Sequence, residues 1–171
     1  MCLLGEPFVN VVSSNTPTGP LRVVMVNPKA QKVHQRLPLS LLFLSRAIPD
    51  DVPWILVDAN VEPAAKGKTE AFIRIAPERT LVLVTVMPGP QLQWAVPWCR
   101  ELKRRWPDIT LVWGGYFPTV HTQTTLQENT VDMVAVGPGE ATLAELIERL
   151  QKGNAPDGIP GLVTKRDGEL V

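Results

Sequence analysis

Four short segments hold the residue types that could do chemistry: NPKAQK (27–32), TVMPGPQ (85–91), GGYFPT (114–119) and GPGE (137–140). Gly114 and Gly115 follow an apolar run. Glycine costs roughly 0.5–1 kcal/mol relative to alanine inside an ordered element, so an adjacent pair implies a backbone conformation or a close contact that a side chain would block. GPGE precedes a helical pattern, where its backbone N–H groups suit a phosphate or amide oxygen, although a tight turn would use the same residues. MPGPQ reads equally as a binding loop or as a plain turn. No metal centre is legible. Cys2 and Cys99 are the only cysteines, without a Cys-x-x-Cys pair, a usage that suits a reducing cytosol.

Such segments need rigid elements to hold them. LRVVMVN (21–27), WILVDA (54–59), LVLVTV (81–86), ITLVW (109–113) and VDMVAV (131–136) are continuous runs rich in β-branched residues, as expected of strands covered on both faces. Between them lie helical periods over PLSLLFLSRAI (38–48), TEAFIRIA (69–76) and QLQWAVPWCRELKRRW, with a weaker one near 119–127. Pro97 should kink the third helix or delay its start. Leu143, Leu146, Ile147 and Leu150 share one face of a last helix that Gly153 should stop. Alternating strands and helices predict an α/β fold: a doubly wound five-stranded parallel sheet in the flavodoxin-like (Rossmann-like) order 2-1-3-4-5. Ligands in such sheets bind outside the carboxyl ends of the strands, and each of the four segments follows a strand. Residues 1–20 read as a flexible arm, 21–153 as the domain, and 154–171 as a hairpin and linker turning at Arg166 to Glu169.

Charge narrows the function. Seventeen basic and seventeen acidic residues cancel, without a basic stripe, so neither nucleic acid nor an anionic membrane is an expected partner. The opening MCLLGEPFVNVV does not read as a signal peptide, and the uncharged stretch from Thr80 to Cys99 is broken by Pro88, Pro90 and Pro97, which predicts a soluble, cytoplasmic protein. A phospho-accepting receiver would need acidic residues where Asn27 and Thr85 stand. A dinucleotide site would need its glycines after the first strand, whereas GPGEAT follows the fifth.

Taken in order, VVMVNP, LPLSLLFLSRAI, TVMPGPQ, ELKRRWPDITLVWGGYFPT, VDMVAVGPGEATLAELIERL and IPGLVTKRDGELV resemble the N-terminal cobalamin-binding domain of cobalamin-dependent radical S-adenosylmethionine enzymes, over about residues 21–171. Corrinoid domains of the methionine synthase type carry Asp-x-His-x-x-Gly, Ser-x-Leu and Gly-Gly after the first, third and fourth strands. Thr85-Val86-Met87 stands in the Ser-x-Leu place and Gly114-Gly115 in the Gly-Gly place, at that family's spacing. The first motif is lost: Asn27 replaces the aspartate and Lys29 the axial histidine. That loss is itself typical of the radical S-adenosylmethionine branch, which holds cobalamin base-off with no protein histidine below cobalt.

The resemblance implies that Gly114 and Gly115 clear a slot for the nucleotide tail and its benzimidazole, that Thr85 offers a hydroxyl to the benzimidazole nitrogen or the tail, and that Met87, Gly89 and Gln91 meet the corrin edge. Gly137, Gly139 and Glu140 would close the opposite wall, and Asn27, Pro28, Val86, Tyr116, Pro118 and Thr119 complete the implied cofactor-binding set. Neither His34 nor His121 would ligate cobalt. The chain alone would not be catalytic. Its partner would be a radical S-adenosylmethionine domain, in cis or in trans, carrying an iron–sulfur cluster and S-adenosylmethionine, and the parent enzyme would be a methyltransferase acting on an unactivated carbon or phosphorus, with a ring rearrangement as the alternative. A second reading is a flavodoxin-like docking module that has lost the corrinoid and binds protein through Trp94, Trp98, Tyr116 and Phe117.

Overall fold

The computed structural model describes residues 19–30, 37–166 and 169–170; most of the expected arm, His34 and the hairpin's Asp167 and Gly168 lie outside them. Strands β1 (Arg22–Asn27), β2 (Trp54–Asp58), β3 (Thr80–Thr85), β4 (Thr110–Gly114) and β5 (Met133–Ala135) run parallel in the spatial order β2-β1-β3-β4-β5, as the sequence predicts. The C-terminal hairpin is not an appendage. Its strands β6 (Leu162–Arg166) and β7 (Glu169–Leu170) extend the sheet to seven, β6 lying antiparallel to β5 with Ala135 opposite Leu162. Ile159 and Leu162 are buried there, so apolar burial holds the added strand against the edge of β5.

The helices are α1 (Leu39–Leu44), α2 (Ala65–Ile73), α3 (Pro90–Arg105), α4 (Tyr116–Val120), α5 (Thr122–Gln127) and α6 (Glu140–Gln151). Alternate strand residues feed two cores. Val23, Met25, Leu81, Leu83 and Val112 pack with Leu41 of α1 and with Leu143, Leu146 and Ile147 of α6. Val24, Val26, Val82, Val84 and Trp113 pack on the other face with Ile73, Ala95, Trp98, Leu102 and Leu126. Burying each such Leu, Ile or Val contributes about 1.5–3 kcal/mol, which is what holds these short helices on the sheet.

Three local expectations change. Helix α2 starts at Ala65 rather than near Thr69, because Ala65, Thr69 and Ile73 share its buried face. Helix α3 begins at Pro90 and runs through Pro97 without a delayed start; the lost N–H costs one hydrogen bond, and buried Ala95, Trp98, Cys99 and Leu102 outweigh it. The weak helix near 119–127 is two short ones separated at His121. Gly153 does end α6, at φ +72°, with its N–H donating to the Leu150 carbonyl.

Candidate functional site

Between the carboxyl ends of β3, β4 and β5 and the helices α1 and α6 lies a slot of about 230 Å³. Its floor is apolar: Leu41, Leu83, Val112, Leu143, Leu146 and Leu162 are all less than a tenth exposed. Its rim carries Ser40, Phe43, Thr85, Gly114, Gly115 and the 137–140 turn. Among the described residues, Glu140 is the only ionisable one along the lining, and no lysine or arginine reaches it. A largely apolar group suits such walls.

The two rim glycines have different reasons. Thr85 pairs with Gly114 across β3 and β4, and the Val86 N–H donates to the Gly114 carbonyl at 2.9 Å. Gly115 then turns at φ +93°, and the Phe117 N–H returns to the Val86 carbonyl at 3.0 Å. A Cβ on Gly115 would lie 2.8 Å from Thr85 Oγ1 and 3.1 Å from the Val86 nitrogen, so here the protein's own backbone demands glycine. A Cβ on Gly114 would meet only Ala135, at an ordinary 3.7 Å. Packing leaves room for a side chain at Gly114, and the slot is what its absence enlarges.

Of the predicted positions, Thr85, Gly114, Gly115, Gly137, Gly139 and Glu140 come together around the slot. The Gly137 N–H donates to Thr119 Oγ1 at 3.1 Å, tying the β4 and β5 loops at its mouth. Asn27, Pro28 and Gln91 lie apart from it in a polar junction. Asn27 Nδ2 donates to Asp58 Oδ1 at 3.0 Å, Gln91 Nε2 donates to Asn27 Oδ1 at 3.0 Å and to the Pro28 carbonyl at 3.1 Å, and the Met87 N–H donates to Gln91 Oε1 at 2.8 Å. Asn60 closes the junction, its Nδ2 2.7 Å from Asp58 Oδ1. Gln91 is therefore a clasp between the ends of β1 and β3, and its amide is buried rather than presented to a ligand. Val86 is fully buried in the opposite core and Pro118 is buried as well; Met87, Gly89 and Tyr116 stand exposed at the carboxyl edge.

Lys29 is exposed in the first-strand loop. His121 is exposed between α4 and α5, its ring against Phe117 at 4.9 Å. Trp98 is buried with Trp94 packed on it at 4.8 Å, which leaves Tyr116 as the most exposed of the aromatic residues offered for a docking surface. Missing from the sequence reading were the slot's α1 wall (Ser40, Leu41, Phe43, Leu44) and its floor. The periodicity of α1 was the available signal, but a leucine facing a slot and one facing a core have the same spacing.

The fold and this slot define a ligand-binding α/β domain, and the chain belongs to the B12 binding domain family, whose model matches residues 33–147. A curated relative, the anaerobic magnesium-protoporphyrin IX monomethyl ester cyclase of Synechocystis sp., is 29% identical over 164 residues, covering 88% of this chain and 32% of the relative. Among solved structures, the radical S-adenosylmethionine methyltransferase TsrM from Kitasatospora setae, with cobalamin and a [4Fe-4S] cluster bound, is 26% identical at a TM-score of 0.69, over 90% of this chain and 30% of that one. The cobalamin-dependent S-adenosylmethionine radical enzyme OxsB, with aqua-cobalamin and S-adenosylmethionine bound, shares the fold at a TM-score of 0.73 and 18% identity, over 89% of this chain and 22% of that one. The chain thus spans about a third or less of each of these proteins.

Proposed function

We propose that this chain holds cobalamin base-off, with no histidine of its own below cobalt, as the corrinoid-binding part of a radical S-adenosylmethionine enzyme that transfers a methyl group. The observation that carries the reading is the slot itself: an apolar cleft, without a lysine or arginine among its described lining residues, opening at the strand ends beside Thr85 and Gly114. The residues fit the group. The absent side chain at Gly114 admits a planar base, the leucine floor accepts its apolar face, and the Thr85 hydroxyl at the rim can donate to an acceptor on the tail. Lys29 stands exposed at the place of the axial histidine, which supports a lower face without a histidine ligand. Bound cobalamin would supply methyl-carrying chemistry at cobalt, and the chain's part is to bind, orient and shield it.

Family membership and the likeness to TsrM support the methyltransferase assignment, and a downstream radical S-adenosylmethionine domain would supply the cluster and the substrate pocket. The test is reconstitution with hydroxocobalamin followed by gel filtration. About one equivalent of corrinoid absorbance should co-elute with the protein; colourless protein under several reconstitution conditions would overturn the reading and leave the docking module.

A further inference from the structure

The slot's chemistry says more about the ligand than that it is a corrinoid. Among the described residues, four polar side chains touch the slot, and three of them, Ser40, Thr85 and Glu140, sit at its rim. The one that lies deep, Thr142, is already engaged: its hydroxyl donates to the Pro160 carbonyl at 2.8 Å, and Oγ1 packs so closely on Gly161 that a Cβ there would come within 2.8 Å. Among the described residues, no asparagine, glutamine, histidine, lysine or arginine lines the slot. The floor offers methyl and methylene groups from Leu83, Val112, Leu143, Leu146 and Leu162.

We infer that the slot selects corrinoids by their lower base, accepting those whose outer edge makes no hydrogen bonds, such as dimethylbenzimidazole or a cresol, and rejecting purines. This rests on the corrinoid reading above. An adenine base would carry its exocyclic amine and a ring nitrogen acceptor into the leucine floor, where neither finds a partner; a buried unpaired polar group is penalised, whereas a methyl group in the same place is rewarded. Thr85 does not discriminate, because at the rim it meets the ribose phosphate that all three tails share.

Equilibrium dialysis of the chain against hydroxocobalamin, an adenine-containing cobamide, p-cresolyl cobamide and cobinamide tests this by absorbance alone. Cobalamin and the cresolyl form should bind comparably, and the adenine form about tenfold or more weaker. Cobinamide, which lacks the base, should also fall well below cobalamin. Equal binding of cobalamin and the adenine form would overturn the selectivity and leave corrinoid binding intact. Cobinamide binding as tightly as cobalamin would overturn it too, by removing the slot from recognition. Failure of all four to bind would instead overturn the corrinoid reading itself.

Discussion

The side-chain amide of Asn27 donates to Asp58 Oδ1 and is met on its oxygen by Gln91 Nε2, both at 3.0 Å, with all three residues buried. Only a residue that both donates and accepts fits between a carboxylate and an amide N–H. Asn27→Asp, which restores the residue type of the histidine-bearing motif, would place a second carboxylate beside Asp58. The pair would hold a shared proton in the folded state at a pH where the unfolded chain has lost it. Stability should therefore fall as pH rises through that interval: a deficit of about 1–3 kcal/mol in urea unfolding at pH 8, shrinking towards pH 5. A deficit independent of pH would show that the carboxylates do not interact.

Gly114 and Gly115 should separate binding from stability. A Cβ at Gly114 meets only Ala135 at ordinary contact distance, so for Gly114→Val unfolding stability should stay within about 1 kcal/mol of the parent while corrinoid retention is lost. Gly115→Ala forces a Cβ onto Thr85 at φ +93° and should cost about 1–3 kcal/mol of stability whether or not a ligand is present. Equal stability losses in the two variants would refute the division.

Electron paramagnetic resonance of the reduced Co(II) complex should show a base-off centre without triplet nitrogen splitting, unchanged in His34→Ala and His121→Ala. His121 stacks on Phe117 outside the slot. Splitting that vanishes in either variant would assign that histidine as a ligand.

Glu128 joins three elements: it takes Arg100 of α3 at 2.6 Å, its backbone carbonyl accepts from Lys165 of β6 at 3.4 Å, and it follows α5 directly. The hydrogen-bonded Arg100 guanidinium holds its carboxyl below the usual range, against a smaller opposing effect of burial. A depressed folded pKa gives stability that is present above the unfolded value and lost as pH falls through the folded one. Glu128→Gln should thus be slightly less stable than the parent at pH 7 and indistinguishable from it at the acid end of the carboxylate range, as read from paired denaturation curves.

What could be read from the residues divides along physical lines. Strands such as VVMV and LVLV announce themselves because a strand covered on both faces needs a continuous apolar run, and the parallel order followed from the helices between them. The glycine pair was legible because its cost demands a cause. Its two causes were not, since the difference between Gly115 against Thr85 and Gly114 against Ala135 depends on a register set by tertiary packing. Gln91 looked like a ligand contact because an amide after a strand is free to point anywhere, and only the approach of Asn27 and Pro28 shows that it turns inward. The addition of the hairpin to the sheet escaped a reading of local turn chemistry, which says how two strands join each other and nothing about which edge receives them.

Leu162 belongs both to the slot floor and to the strand that pairs with β5, and it lies 25 residues after Gly137, where the turn on the rim begins. On a ribosome, five strands and six helices would leave the exit tunnel before this last wall arrives. A nascent domain would then hold an open apolar trough, exposed to solvent and unable to grip a cofactor, until residues 159–166 emerge and seal it. Cofactor loading would in that case be a late event in biogenesis, set by the schedule of translation.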